Sequence, residues 1–355
     1  MRVLYFGTYE RDYPRNAQVI SALRGAGVQV IERHAPVWEK SRDNWGAGTG
    51  IGLRLMLAEA RLWWPPRDEY DIVLVGYPGH FDMPRARRAA GGRPLVFNPL
   101  VSLHDTMVSD RGRYSSRSFT ARALAAVDRK ALRTADLVVA DTRANGDFLA
   151  EVGEIPRTKV EVCFVGAEDR LFHPGWRPDN PFRALFVGKL IPLHGLETIL
   201  EAARLAPEIP FRVIGSGQLE HLLNARPENV EWVHWVNYEE LPRELWGAGV
   251  ALGIFGTSDK TLRVIPNKAY QALATGAPLI TGDTPAAREL LADERDALLV
   301  PPGDPAALAG AIRQVAADPK LARNLSEGGR RTYEEQASEE VLGARWRGLL
   351  ETMLR

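Results

Sequence analysis

The stretch PNKAYQALATG, residues 266–276, combines residue types and spacing that suit phosphate chemistry. Pro266 predicts a helix start, since a proline at the first helical position sacrifices no hydrogen bond. Lys268 then falls in the first turn, where the partial positive charge of the helix end opposes a cation by up to ~1 kcal/mol. A bound anion removes that conflict, because the N–H groups of a helix start bind phosphates. The plainer alternative is a lysine that bends into solvent.

A second pair of potential cations follows the strand pattern RALFV, in the stretch GKLIPLHG. Gly188 permits a close approach to the backbone, Lys189 follows it, and His194 precedes the next helical pattern. Cations at a strand end and a helix start suit a diphosphate. A plain connection with a solvated lysine is the alternative.

Gly215-Ser216-Gly217 follows the next strand pattern and predicts a tight turn. A dinucleotide-binding fingerprint needs a third glycine at a fixed spacing, and neither this loop nor the N-terminal YFGTYE loop has one. The phosphate-binding motif GxxxxGK[ST] is absent from the sequence as well. The sequence therefore disfavours nicotinamide enzymes and P-loop NTPases.

The elements that must position these residues alternate between strand and helix. Short β-branched runs at residues 3–6, 28–31, 72–75, 95–97, 137–140 and 160–165 are separated by helical patterns. The alternation pauses in FHPGWRPDNPF and resumes at RALFVG. Such alternation is typical of a parallel sheet covered by helices on both faces, with ligands at the carboxyl ends of the strands. We predict two doubly wound, Rossmann-like α/β domains facing across a cleft, at residues 1–172 and 183–337, with a linker at 173–182 and a C-terminal helix, 338–355, packing back on the first domain.

Composition indicates an ordinary globular protein. The 355 residues allow two domains with separate cores. Lys plus Arg and Asp plus Glu both number 45, and this balance argues against a nucleic-acid partner. Cys163 is the only cysteine, so an intramolecular disulfide is impossible and a reducing cytosol is expected. Apolar stretches fall short of a signal peptide or a membrane span. We expect a cytoplasmic protein, either soluble or attached to the inner face of a membrane.

Several blocks of the chain resemble family 4 glycosyltransferases. In the second half these are FVGKLIPLHGLETILEAARL, FRVIGSGQLEHLL, VIPNKAYQALATGAPLITGDTPAARELL and ALLVPPGDPAALAGAIRQV. In the first half PLVSLHDTMVSDR, ADLVVADTRANGDFL and VEVCFVGAEDRLFHPG resemble the N-terminal blocks in the same order. The resemblance implies the GT-B fold and the transfer of a hexose-type sugar from a nucleotide-sugar donor. It further implies retention of anomeric configuration, with no metal and no cofactor beyond the co-substrate.

The chain departs from the family's pattern at the donor site. The family holds the diphosphate with an arginine and, five residues later, a lysine, and here those places hold Lys189 and His194. Lysine keeps the charge but loses bidentate geometry, and a histidine is charged only in part near neutrality. Gln271 replaces the family's second glutamate, and Arg263, eight residues earlier, replaces the first. Gln271 still accepts from one ribose hydroxyl and donates to another, whereas Arg263 either joins the diphosphate clamp or changes the choice of donor sugar.

The resemblance thus implies a donor site in the second half of the chain. It also implies catalytic residues from both halves, namely His104, Asp105 and Lys189. The donor site comprises Gly188, Lys189, His194, Gly215, Arg263, Asn267, Lys268 and Gln271. Lys189 and Lys268 would stabilise the negative charge that gathers on the departing nucleoside diphosphate. His104 and Asp105 resemble the family's pair near the transferred sugar, although a capping aspartate beside a structural histidine is the alternative. Gly7 and Thr8 end the first strand and are expected to face the acceptor.

The acceptor side of the sequence carries a weaker signal. GIGLRLMLAEARLWWPPRD and MPRARRAAGGRP combine apolar residues, tryptophans and arginines, which suits a peripheral membrane contact and a lipid-linked acceptor. A core-packing helix with a solvated basic loop is the plainer alternative. The acceptor stays open between a glycan, a glycolipid and a small molecule, and the oligomeric state is not predicted. Loss of both glutamates keeps a catalytically silent sugar-nucleotide-binding protein as the second hypothesis, and an epimerase of the same fold as the third.

Overall fold

The computed structural model describes the chain except residues 12, 39–49, 65–67 and 180, and it describes only the backbone of Ile51. The chain divides into two compact units, one of Met1–Val165 with Glu339–Arg355 and one of Gly166–Ser338. Each unit contains one six-stranded parallel sheet. The predicted pair of doubly wound α/β domains is therefore confirmed.

The first unit begins with the first strand of its sheet. Its strands are β1 (Arg2–Gly7), β2 (Gln29–His34), β3 (Ile72–Val75), β4 (Leu95–Phe97), β5 (Leu137–Ala140) and β6 (Val160–Val162). They pair in parallel in the order β2-β1-β3-β4-β5-β6. Its helices are α1 (Pro14–Gly25), α2 (Ile51–Arg61), α3 (Met83–Ala90), α4 (Phe119–Thr134), α5 (Arg143–Gly153) and, last in the chain, α11 (Glu339–Thr352).

Both faces of the central strands of this first sheet are buried, which explains why β1, β3, β4 and β5 read as apolar runs. One face packs on α2, α3, α4 and α5 through side chains such as Ala58 and Leu149. The other face packs on α1 and α11, where Leu23 and the fully buried Trp346 share one cluster. The C-terminal helix thus belongs to the core of the first unit.

The second unit repeats the architecture. Its strands are β7 (Ala184–Val187), β8 (Phe211–Ile214), β9 (Val230–Val233), β10 (Val250–Leu252), β11 (Leu279–Gly282) and β12 (Leu298–Val300). They pair in parallel in the order β12-β11-β10-β7-β8-β9. Its helices are α6 (Leu196–Leu205), α7 (Leu241–Gly247), α8 (Asn267–Thr275), α9 (Pro305–Ala317) and α10 (Pro319–Gln336). Phe186 and Phe211 anchor its largest apolar cluster.

The segment that the sequence predicts as a linker, 173–182, makes several contacts within the second unit, apart from residue 180, which lies outside the described residues. The indole nitrogen of Trp176 donates to the carbonyl of Ala248 at 2.7 Å. The backbone N–H of Arg177 donates to Trp246, and that of Asp179 donates to Gly247. These bonds explain why the division between the units falls before residue 166 rather than within this segment.

None of the described helices is both long and apolar enough to cross a bilayer.

Candidate functional site

Lys268 lies in the first turn of α8, which follows an extended Pro266 and has no side-chain cap. The residue is only 9% exposed, so the alternative of a lysine bent into solvent is wrong. Its Nζ lies 3.7 Å from the centroid of the Phe186 ring and has no hydrogen-bond partner among the described residues. Burial lowers the pKa of this amine well below its ordinary value. A buried amine without an acceptor at a helix start favours an anionic ligand.

Gly188, directly after β7, leaves the space beside this amine. Its φ is +154°, a conformation that side-chain-bearing residues rarely adopt. A Cβ atom at this position would lie 2.7 Å from Nζ of Lys268 and 3.3 Å from Cε1 of His194. The structure therefore brings together three residues that the sequence predicts for the donor site, around a space that only glycine keeps open.

His194 ends a short 3-10 turn, Pro192–His194, between β7 and α6. Its Nδ1 forms a hydrogen bond with the backbone carbonyl of Lys189. Because a carbonyl oxygen only accepts, Nδ1 must carry a hydrogen, and the imidazole gains or loses its charge at Nε2. The residue Lys189 is exposed. The loop thus presents one exposed cation and one titratable ring next to Gly188.

Gly215 follows β8 and has a φ of +143°. A Cβ atom here would lie 1.9 Å from the carbonyl oxygen of Gly188. The two loops are further joined by the N–H of Leu190, which donates to Ser216 at 2.9 Å. Gly215 is therefore required for the close packing of the loops after β7 and β8, whatever else it contacts.

Gln271 lies one turn after Lys268 and is 6% exposed. Its Nε2 donates to the hydroxyl of Tyr238 at 3.4 Å. Tyr238 begins a 3-10 turn, Tyr238–Glu240, and packs edge-on against Phe172 at 5.6 Å between ring centroids. Burial raises the pKa of this phenol, so it stays protonated at physiological pH. Gln271, which the resemblance places at the family's second glutamate, thus contacts a tyrosine.

The two remaining donor-site predictions lie next to α8. Arg263 ends a 3-10 turn, Thr261–Arg263, and Asn267 is the first residue of α8; both residues are half-buried. Their place in the donor site stays a prediction. Within the described part of the chain, no three His, Cys, Asp or Glu side chains are grouped to hold a metal ion.

In the first unit, the loop after β1 is occupied by a carboxylate from the loop after β3. Asp82 accepts hydrogen bonds from the N–H of Thr8 at 2.8 Å and from its hydroxyl at 2.9 Å. A Cβ atom at Gly7, whose φ is +130°, would lie 2.3 Å from Oδ2 of Asp82. Gly7 and Thr8 therefore both contact the carboxylate of Asp82, and Thr8 is buried. Their predicted contact with the acceptor stays a prediction.

Asp82 belongs to a buried acidic pair with Glu59 of α2. Burial, together with a hydrogen bond to Asp82, raises the pKa of Glu59 to about 9. Burial raises the pKa of Asp82 too, although Thr8 opposes the shift by donating to the carboxylate. Arg85 lies 2.8 Å from Glu59. Glu59 therefore retains a proton near neutral pH.

His104 and Asp105 lie in a loop that a second buried carboxylate organises. Asp128 of α4 is fully buried and accepts hydrogen bonds from the Ser102 hydroxyl at 2.6 Å and from the N–H of Leu103 and of His104, each at 2.9 Å. Asp105 begins a π-helical turn, Asp105–Asp110, and is buried. The backbone of the predicted pair is therefore held in place from α4.

His80 completes this arrangement. Its Nδ1 lies 2.9 Å from the carbonyl of Pro78, and its Nε2 lies 3.1 Å from the carbonyl of Val101 and 3.5 Å from Oδ1 of Asp128. The buried His80 ring thus lies between two backbone carbonyls and the carboxylate of Asp128.

Sequence reasoning missed the supporting residues His80, Asp82, Asp128 and Tyr238. Asp128 had a detectable signal, because it lies on the same helical face as the buried Ala121, Ala131 and Leu132. A lone aspartate on an apolar face usually has a buried partner. No comparable pattern marks Tyr238, whose partner Gln271 is 33 residues away.

The second unit matches a known family. Residues 168–332 match the family model described as glycosyl transferases group 1. The second unit is therefore similar to the group 1 glycosyltransferases over these residues, and the family resemblance predicted from the sequence is confirmed there.

Curated relatives agree at low identity. The chain is 26% identical over 346 residues to a D-inositol 3-phosphate glycosyltransferase of Nocardioides sp., a match that covers 85% of this chain and 71% of the relative. It is 27% identical over 174 residues to the amylovoran biosynthesis glycosyltransferase AmsK of Erwinia amylovora, with 45% and 43% covered. Both relatives are named as glycosyltransferases, one for D-inositol 3-phosphate and the other for amylovoran biosynthesis.

Solved structures support the fold over the whole chain. Sucrose-phosphate synthase from Thermosynechococcus elongatus has a TM-score of 0.75 at 17% identity, with 99% of this chain and 98% of that chain covered. Anabaena HepE, solved in complex with UDP-glucose, has a TM-score of 0.70 at 14% identity, with 99% and 100% covered. At such identities the likeness shows the GT-B type of fold alone.

Proposed function

We propose that this chain transfers a sugar from a nucleotide-sugar donor to an acceptor, with retention of anomeric configuration and without a metal ion. The observation that carries the proposal is the buried amine of Lys268. It lies at the start of α8, beside the space at Gly188, with no acceptor among the described residues. A diphosphate supplies the acceptor that this amine needs.

Charge explains how such a site assists the reaction. As the bond between the sugar and the nucleoside diphosphate breaks, negative charge collects on the leaving group. Lys268 and the helix start are preorganised to stabilise it, and the exposed Lys189 and the Nε2 atom of His194 are the further groups of that loop. One such preorganised group contributes roughly 3 kcal/mol to lowering a barrier.

Gln271 is the group that we propose for the donor ribose. Its amide offers both a donor and an acceptor, and the N–H₂ group already contacts Tyr238. The amide oxygen is then the atom that accepts a ribose hydroxyl. Arg263 and Asn267 complete the proposed donor site, with Arg263 contributing a further positive charge towards the diphosphate. HepE was solved with UDP-glucose, which supports a nucleotide sugar as the donor class.

In the first unit, His104 and Asp105 are the side chains that we propose to act at the transferred sugar. The N–H of His104 donates to Asp128, and the N–H of Asp105 donates to the hydroxyl of Ser102, so the backbone of both residues is held in place. Gly7 and Thr8 contribute to the acceptor side through the shape of the β1 loop, which Asp82 fixes. The acceptor itself is a sugar, a glycan or a lipid-linked molecule, and the site of action is the cytoplasmic side of the membrane.

A panel of nucleotide sugars tests the proposal directly. The full chain is incubated with UDP-, GDP- and ADP-sugars, and release of the nucleoside diphosphate is measured with and without candidate acceptors. We expect one nucleotide class to be turned over, slowly by hydrolysis and faster with acceptor. Lys268→Ala should lose most of this turnover, whereas its matched control Lys320→Ala, at an exposed lysine of α10, should behave as the wild type does.

A catalytically silent sugar-nucleotide-binding protein is the second candidate. Arg263 and Gln271 stand where the resemblance implies two glutamates, and this substitution is the observation that favours it. Tight binding of a nucleotide sugar without turnover, across all donors and acceptors, would establish the silent protein and contradict the transferase.

A further inference from the structure

Helix α2 buries one face and exposes an apolar stripe on the opposite face. Its inward side chains, Ala58 and Glu59, are buried, as is Leu62 directly after the helix. On the outward side, Leu53, Met56 and Leu57 are 59%, 63% and 55% exposed. Their spacing of three and four residues places them on one face of a helix with 3.6 residues per turn. The alternative prediction, in which this helix packs against the core, is therefore correct only for the inward face of α2.

Two tryptophans extend the stripe beyond the end of α2. Trp64 is 70% exposed, and Trp63 is partly covered by the guanidinium group of Arg88, which lies 4.5 Å from its ring centroid. Large aromatic side chains with a polar edge are favoured at the boundary between lipid and water. The stripe thus carries both the aliphatic and the aromatic groups of an interfacial helix.

The surroundings of the stripe are basic. Arg54 and Arg61 are exposed on α2, and Arg88 is exposed on the neighbouring α3. The only acid of α2 is Glu59, which is buried and paired with Arg85. The outward face of α2 therefore combines apolar side chains with positive charge and has no acidic side chain.

We propose that this stripe, defined as Leu53, Met56, Leu57 and Trp64 with the flanking Arg54, Arg61 and Arg88, docks the chain on an anionic lipid surface. Monomeric proteins rarely expose contiguous apolar side chains without a partner. A basic interfacial helix with Leu and Trp on its apolar side inserts into the headgroup region and is attracted to anionic lipids.

A second copy of this chain fits the stripe less well. A symmetric dimer through α2 would place the same surface of each copy against the other, and so would bring the arginines of both copies together. Like charges brought close at an interface oppose association. Charge complementarity thus favours lipid phosphates over a homodimer.

This inference goes beyond the transfer reaction. The stripe belongs to the first unit and uses none of the residues proposed for the donor site or the sugar. Vesicle binding is measured without nucleotide sugar, so its failure would leave the transferase proposal unaffected.

The test is flotation of the full chain with vesicles of phosphatidylcholine alone and of phosphatidylcholine mixed with phosphatidylglycerol. We expect binding to the anionic vesicles only, weakened by added salt and accompanied by a blue shift of tryptophan fluorescence. Leu57→Glu places a charge in the stripe without disturbing the core, and should weaken binding about tenfold or more. The double variant Arg54→Glu, Arg61→Glu should weaken it to a similar extent, about tenfold.

Leu205→Glu is the matched control, because Leu205 is also exposed, at 43%, but lies on α6 of the second unit. It should bind as the wild type does. Circular dichroism and thermal unfolding verify that each variant folds. Equal binding to neutral and anionic vesicles, no binding to either, or equal loss in Leu57→Glu and Leu205→Glu would overturn the proposal. So would a dimer in sedimentation that Leu57→Glu dissociates, since the occupant would then be a second copy.

Discussion

The loops at the strand ends of the two units satisfy their polar groups in opposite ways. In the first unit, buried carboxylates accept hydrogen bonds from the backbone of the loops. Asp82 accepts from the loop after β1, and Asp128 accepts from the loop before the π-helical turn. In the second unit, Gly188 leaves a space, and the amine beside it, Lys268, has no acceptor among the described residues. The two carboxylates of the first unit have their hydrogen-bond donors within the protein, whereas the buried amine of Lys268 needs a ligand to supply its acceptor.

This contrast separates stability from function. A buried charge with partners supports the fold, and its removal leaves other polar groups unsatisfied. A buried polar group without partners costs free energy and persists where binding requires it. We therefore expect substitutions in the loops of the first unit to act on the free energy of unfolding, and those around Lys268 to act on ligand affinity.

The largest expected effect is on the stability of the first unit. Asp128→Ala removes the acceptor of three hydrogen bonds and leaves the buried His80 without its carboxylate. The free energy of unfolding should fall by about 3–5 kcal/mol, measured by denaturant titration. Lys130→Ala, an exposed neighbour on α4, should change it by less than about 0.5 kcal/mol. A loss for Asp128→Ala as small as that of Lys130→Ala would break the contrast.

A pair of glycine substitutions sharpens the comparison. At Gly7 a Cβ atom meets the fixed carboxylate of Asp82 at 2.3 Å, so Gly7→Ala should destabilise by about 2–4 kcal/mol. At Gly188 it meets the end of the flexible Lys268 side chain, so Gly188→Ala should cost about 1 kcal/mol. Nucleoside diphosphate affinity should nevertheless fall in Gly188→Ala, because the added methyl group fills the proposed site.

Gly310→Ala serves as the control for both glycine variants, since a Cβ atom there meets nothing within 4 Å and the residue lies inside α9. It should be neutral or stabilising by up to about 1 kcal/mol. If Gly188→Ala bound nucleotides as tightly as Gly310→Ala does, the space at Gly188 would have no part in binding.

A smaller effect concerns pH. Burial raises the pKa of Glu59 from its ordinary 4.5 to about 9 in the folded chain. The folded state therefore retains a proton that the unfolded state has lost, and the stability this provides declines as pH rises from 4.5 to about 9. Glu59→Gln should flatten that decline, measured as unfolding free energy against pH. Glu69→Gln, at an exposed carboxylate of the same unit, should keep the wild-type slope; identical slopes in all three proteins would contradict the account.

The sequence predicted the features that depend on local pattern. Continuous apolar runs identified the strands because both sheet faces are buried, and the conflict between Lys268 and the helix start pointed to an anion. The predicted strand at residues 160–165 was too long, since β6 ends at Val162. Its apolar tail is buried outside the sheet, where Cys163 packs near Trp346.

Contacts across long stretches of chain explain what the sequence did not reveal. Asp82 reaches Thr8 across 74 positions, and Asp128 reaches Leu103 across 25. No periodic pattern links such residues, because their pairing depends on which strand ends lie side by side in the sheet. Because β1 and β3 are neighbours in the sheet, the carboxylate of Asp82 lies beside Gly7.

Calorimetric titration of wild type and Lys268→Met with UDP, GDP and ADP tests the central claim most directly. Because burial lowers the pKa of Lys268, binding of a diphosphate should raise it again and draw in a proton. The wild type should therefore bind its nucleotide with proton uptake, and more weakly as pH rises. Lys268→Met should bind about 10- to 100-fold more weakly without that uptake. Equal affinity and equal proton uptake in the two proteins would contradict the account.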